Sequence, residues 1–171
     1  AHRSFAYDIK YHQSSSSELN RITDIGKAAD AIELIHENGL KIVRMGVATD
    51  ELPDSLKRLP IIDLSGQFRT DAQDLWLAEH CLFLWGINSV GTWHFARKYN
   101  RPTLVTNNYS FTRGLQHTLF TFQMIWGKEE NRFLTLNEMA ALRGVLGRVS
   151  AMKAHDLTYV ENSPSELVLS V

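Results

Sequence analysis

The chain has 171 residues, 44% of them hydrophobic and 22% charged, which is enough apolar material for one folded core and gives no reason to divide it. Eighteen basic residues against nineteen acidic leave a net charge of -1, so there is no bulk electrostatic case for nucleic acid or an anionic membrane. No apolar run approaches the roughly 20 residues of a bilayer span, and the lone Cys81 excludes an internal disulfide or a cysteine-rich metal site.

In chain order, the first 20 residues close on HQSSSSELN, which reads as a mobile polar loop. TDIGKAADAIELIHENGL predicts a helix: Thr23 or Asp24 can cap it, Ile25, Ala28, Ile32 and Ile35 recur at helical spacing, and Gly39 suits the left-handed closing position. KIVRMG reads as the strand that follows, and PIIDLS as a second, shorter one. Thr70 or Asp71 caps a helix over TDAQDLWLAEHC with Leu75, Leu77 and Ala78 facing inward, and LFLW, residues 82–85, reads as a strand buried on both faces.

Residues 90–98 look helical, Asn100-Arg101-Pro102 breaks the chain, and TLVT adds another strand. From Asn107 to Arg132 the sequence reads as loop, with Phe120, Phe122, Trp126 and Phe133 as a packed lid. Thr135 and Glu138 form a capping box opening a helix over TLNEMAALRGVL, LTYVEN is the last strand, and Ser163, Pro164 and Glu166 have the spacing of a final helix start. The alternation predicts an α/β, Rossmann-like fold: a mainly parallel sheet of about five strands with helices on both faces, in a single domain over residues 1–171.

Open parallel sheets bind ligands where loops and helix N-termini converge at the carboxyl ends of the strands. Gly86 would let the chain turn there, leaving Asn88-Ser89 either to cap the next helix or to offer backbone N–H groups to a phosphate or carboxylate. Arg44 followed by Gly46 puts a guanidinium at a strand end beside a backbone that a ligand can approach, unless it is only a surface arginine before a turn. Arg69 precedes a helix whose first turn carries Asp71 and Asp74, an arrangement that also favours the helix on its own. The seven histidines have no metal-ligand spacing, no G-x-S-x-G elbow is present, and Cys81 reads as a packed thiol.

Taken in order, NRITDIGKAADAIELIHENGLKIVRMG, IIDLSGQFRTDAQDLWLAEHCLFLWGINS, NRPTLVTN, NRFLTLNEM and LTYVENSPSEL resemble a family of bacterial glycosyltransferases. That family is similar to the nucleotide-sugar-binding C-terminal half of two-domain GT-B enzymes and, more distantly, to O-fucosyltransferases. The resemblance implies transfer of a sugar from a nucleotide-diphosphate donor to a glycan or other acceptor, with no cofactor and usually without a tightly bound metal; the single cysteine fits a reducing compartment, and the cytoplasm is the expected location. By the same resemblance Arg3 ends the first strand of this half and helps hold the diphosphate, and Arg44 and Gly46 match an R-M-G strand end. Arg69, Asp71 and Asp74 match the acidic helix start beside the donor pocket, and Asn88 and Ser89 fall in a turn that is usually richer in serine and glycine.

The short start before Arg3 is read as the loss of an N-terminal acceptor half. The general base commonly comes from that half, so no catalytic residue is named; Asp8 is a weak candidate. With no D-x-D motif, arginines and helix N–H groups would stabilise the leaving diphosphate. Two alternatives stand beside this reading, a non-catalytic transferase-like binding module and a small nucleotide-binding regulator.

Overall fold

A computed structural model describes residues 23–46, 51–65, 69–87, 94, 98–108, 117–142, 145–146 and 149–171. The expectations for Arg3, Asp8, the serine tract, Asn88-Ser89 and most of the helix over residues 90–98 lie outside these residues.

Asp24 caps the first described element: its carboxylate accepts the Gly26 N–H at 2.8 Å, opening a 3-10 turn, Ile25–Ala28, that runs into helix α1, Ala29–Glu37. Gly39 follows at φ 81°, a left-handed conformation natural to glycine, and turns the chain into β1, Ile42–Arg44. A short helix α2, Asp54–Lys57, leads to β2, Ile61–Asp63, which pairs with β1 in parallel. Helix α3, Asp71–His80, starts with a Thr70–Gln73 capping box.

Next come β3, Leu84–Ile87, β4, Thr103–Asn108, and β5, Thr118–Phe122, in a parallel sheet of order β3-β4-β5. β3 starts two residues later than LFLW predicts. Leu82 is 67% exposed, whereas the Leu84 N–H donates to Pro102 O and sets the register, so Gly86 lies inside the strand opposite Val105 rather than at a turn. Among the described strands β5 is the outer one of this sheet, and it carries the largely exposed Leu119.

Three further strands form an antiparallel sheet of order β7-β6-β8: β6, Met124–Gly127, β7, Arg132–Phe133, and β8, Leu157–Val160. Thus β5 and β6 occupy a stretch read as loop, where TLFTF and MIWG supply the β-branched and aromatic residues that strands favour. The four aromatics are strand residues: Trp126 and Phe133 meet edge to face at 5.0 Å across the β6/β7 pair, and Phe120 stacks near Phe122 on β5. LTYV, for its part, pairs with β6 antiparallel instead of joining the parallel strands. Further described helices are α4, Leu136–Ala141, α5, Val149–Ala154, and α6, Pro164–Val168, with the capping boxes at Thr135/Glu138 and Ser163/Glu166 in place.

The protein is therefore mixed α/β, and its described residues show parallel pairing in a two-stranded and a three-stranded sheet beside one antiparallel sheet. Two apolar clusters hold these parts. One gathers Ala28, Ile32, Leu56, Ile87 and Leu167, packing α1 against α6 and the end of β3; the other gathers Ile125, Leu134, Met139, Met152 and Leu157 under the antiparallel sheet. Each fully buried leucine contributes on the order of 2 kcal/mol from area alone. Among the described residues no helix is long and apolar enough to cross a membrane.

Candidate functional site

Arg44 is the last residue of β1 and only 6% exposed. Its register partner in the parallel pair is Asp63, the last residue of β2, and Arg44 Nη1 donates to Asp63 Oδ2 at 3.0 Å. The other Asp63 oxygen accepts the Ser65 N–H, and the Leu64 N–H donates to Arg44 O. Burial by itself would raise the Asp63 carboxyl, but hydrogen bonds from Ser65 and the charge and hydrogen bond of Arg44 hold it below its usual value. Gly46 follows at φ 149°, backbone that residues with a Cβ rarely adopt.

Arg69, Asp71 and Asp74 also come together, as a local ion-pair cluster. Arg69 sits just ahead of the Thr70 cap, so its guanidinium folds back over the first turn of α3. Its Nε donates to Asp74 Oδ2 at 2.7 Å, and its Nη2 lies 2.6 Å from the same oxygen and 3.1 Å from Asp71 Oδ1. Asp74 is buried and Asp71 exposed. The two aspartates therefore neutralise Arg69 at a helix end that already favours acidic residues.

A cavity of about 460 Å³ opens between α1, β1, α3 and β3, lined mainly by apolar side chains such as Ile32, Ile42, Leu77 and Leu84. Arg44 and Ile87, the final residues of β1 and β3, border it together. Trp76 stands exposed at this cavity, its ring stacked on His80 with centroids 4.5 Å apart. Cys81, which also lines it, is half-buried; burial pushes its thiol up against the opposing pull of Arg101, which keeps it protonated near neutral pH and poorly nucleophilic. An interior this apolar cannot solvate a diphosphate, so an anionic ligand belongs at the strand-end rim with Arg44.

The sequence reading missed a set of buried amides at the carboxyl end of β4. Asn107 and Asn162 bond reciprocally, the Asn107 N–H to Asn162 Oδ1 at 2.7 Å and the Asn162 N–H to Asn107 Oδ1 at 2.5 Å. Asn162 Nδ2 also donates to Phe122 O at 3.0 Å, and the Gln123 N–H donates to Asn108 O. Asn107 adopts φ 54°, a left-handed conformation that asparagine tolerates better than most residues. One strand earlier, Trp85 Nε1 donates to Thr106 Oγ1 at 3.0 Å, linking β3 to β4. The signal in the sequence was the pair Asn107-Asn108 directly after an apolar strand, together with Asn162 ahead of the Ser163 cap. Lys27 pairs with Glu161 beside it, tying the first helical turn to the same segment.

Among the described residues no group of three or more His, Cys, Asp or Glu is placed to hold a metal ion. Comparison with known proteins finds no family model, no curated protein and no solved structure that matches this chain.

Proposed function

We propose that the chain is the donor-binding domain of a GT-B-like, metal-independent glycosyltransferase, its two parallel sheets serving as one Rossmann-like layer. The carrying observation is that the carboxyl-terminal residues of two parallel strands, Arg44 and Ile87, border one cavity. A nucleotide-diphosphate sugar would lay its apolar base side toward the cavity and its diphosphate on the rim. There it exchanges with Asp63 as the partner of Arg44, and Gly46 allows close approach; Arg3, Asn88 and Ser89 join by resemblance alone. As the bond from sugar to diphosphate breaks, negative charge grows on the leaving group, and a guanidinium already fixed by a carboxylate needs little reorganisation to meet it. Arg69, Asp71 and Asp74 do not line the cavity; they brace the start of α3, whose later residues Trp76, Leu77 and His80 do. The acceptor and its base would come from another part of the enzyme, in the cytoplasm.

Calorimetric titration with UDP-, GDP- and ADP-sugars tests this reading. It predicts saturable binding of one of them, weakened about tenfold or more in Arg44→Met through loss of a charge-assisted contact. Saturable binding of none would overturn it.

A second reading, a non-catalytic transferase-like binding module, is favoured by one fact: the guanidiniums of Arg44 and Arg69 already have carboxylate partners. Nucleotide binding and sugar transfer by the intact enzyme left unchanged in Arg44→Ala and Ser89→Ala would select it.

A further inference from the structure

The sequence sets an asparagine directly before a glycine once, at Asn38-Gly39, where α1 ends. An asparagine amide can close a five-membered ring with the nitrogen of the next residue, and a glycine there has no side chain to crowd the closure. Both residues are exposed, and a Cβ built on Gly39 would meet no atom beyond its chain neighbours within 4 Å, so water and hydroxide reach the pair. Among the other described asparagines, Asn100 and Asn131 are exposed but precede Arg101 and Arg132, and Asn107, Asn108 and Asn162 are buried.

The fold holds the pair shut. Asn38 Nδ2 donates to Leu34 O at 2.8 Å, which turns the amide back along α1. The Gly39 N–H donates to His36 O at 2.8 Å and the Leu40 N–H to Ile35 O at 3.4 Å, the two bonds of a Schellman motif with Gly39 at its left-handed position. The attacking nitrogen and the amide it would attack are thus each engaged by a carbonyl of the last turn. Ring closure needs that turn open, and a terminal turn opens more readily than packed helix.

We propose that Asn38 is a site of spontaneous covalent modification, deamidated through a succinimide when the last turn of α1 opens, and that the Schellman motif sets its rate. The Gly39 nitrogen gives its proton to water and bonds to Asn38 Cγ, and Nδ2 leaves as ammonia. Water then opens the ring at one carbonyl or the other, leaving an aspartate or an isoaspartate at position 38. The net change is water in and ammonia out, with no redox partner. Both products damage the helix end. The amide that donated to Leu34 O becomes a carboxylate, which only accepts, and it stands at the negative end of the helix dipole. Isoaspartate also routes the main chain through Cγ, adding a carbon to it, so the Gly39 and Leu40 N–H groups no longer meet His36 and Ile35 in register. Because Gly39 turns the chain into β1, that misfit is passed to the strand that ends in Arg44. The site does not depend on nucleotide binding, and the two readings can fail separately.

Peptide mapping by mass spectrometry on the intact chain, aged in mildly alkaline buffer, is the test, with isoaspartate read by enzymatic methylation. In the folded chain Asn38 should convert ahead of Asn100 and Asn131. Its conversion should run about tenfold faster in urea beyond the unfolding midpoint, because the turn bonds that hold the pair are then broken. Asn38→Gln, whose closure would need a larger ring, should end the conversion at this position, and Asn38→Asp should by itself lower the folding equilibrium constant about tenfold. Conversion of Asn100 or Asn131 before Asn38 in the folded chain would overturn the proposal, and so would equal rates at Asn38 in the folded and the unfolded chain. Those rates decide the matter even if Asn38→Asp fails to fold.

Discussion

Two strand ends in this molecule are closed by different chemistry. At the end of β1 and β2 the partners are ions, Arg44 and Asp63, adjacent in register and 19 residues apart. At the end of β4 they are neutral amides, Asn107 and Asn162, 55 residues apart and bonded in both directions. The amide end is buried on both sides, and no ion competes for an amide that already gives and accepts hydrogen bonds with its partner. The ionic end is different: the Asp63 side chain keeps 36% of its exposure, so water or an incoming anion can take its place beside Arg44. One end is built to stay shut, the other to change partners.

The largest expected effect lies at the amide end. Asn162→Ala removes two hydrogen bonds, from the buried Asn107 N–H and the half-buried Phe122 O, at a cost of about 3 kcal/mol, read as a lowered urea midpoint at constant m-value. A loss under about 1 kcal/mol would show that this end is no fixed closure and would erase the contrast. Arg44→Met comes next, at about 2 kcal/mol: fully buried pairs lose more when broken, but the orphaned Asp63 here can rehydrate. Asp74→Asn follows at about 1 kcal/mol, because Arg69 keeps Asp71 and some solvent, and thermal melting would detect it.

The smallest effect is a pH dependence specific to the ionic end. The folded-state pKa of Asp63 lies below its usual value, so its contribution is complete above the unfolded pKa near 4 and disappears as pH falls through the lower folded value. Urea midpoints between about pH 6 and pH 2 should fall less steeply for Asp63→Asn than for the parent, while Asn162→Ala should keep the parent slope.

What could be read from the sequence was what closes within a few residues. The Thr135/Glu138 and Ser163/Glu166 boxes, the Thr70 cap and the left-handed Gly39 all depend on partners three or four positions away, and all are in place. Arg69 and Asp74 were grouped for the same reason, being five residues apart. The identities of β1, β2 and β4 followed from their apolar, β-branched runs. Pairing did not follow, since LTYV carries no mark distinguishing an antiparallel seat on β6 from a place among parallel strands. The Arg44–Asp63 and Asn107–Asn162 pairs were hidden because each residue looks ordinary until another segment is laid against it. β5 and β6 were passed over because their polar flanks resemble turn sequence, though their aromatic and β-branched alternation was the stronger signal.

The outer strand β5 has a practical consequence. Among the described residues it is the last strand of the parallel sheet, and it turns Leu119 to solvent as an apolar side chain that another molecule can cover. Concentrated preparations of this protein should accordingly be prone to self-association through that side chain. Leu119→Lys, a charge of the kind that natural sheets set on such borders, should keep the sample monodisperse without disturbing either strand end.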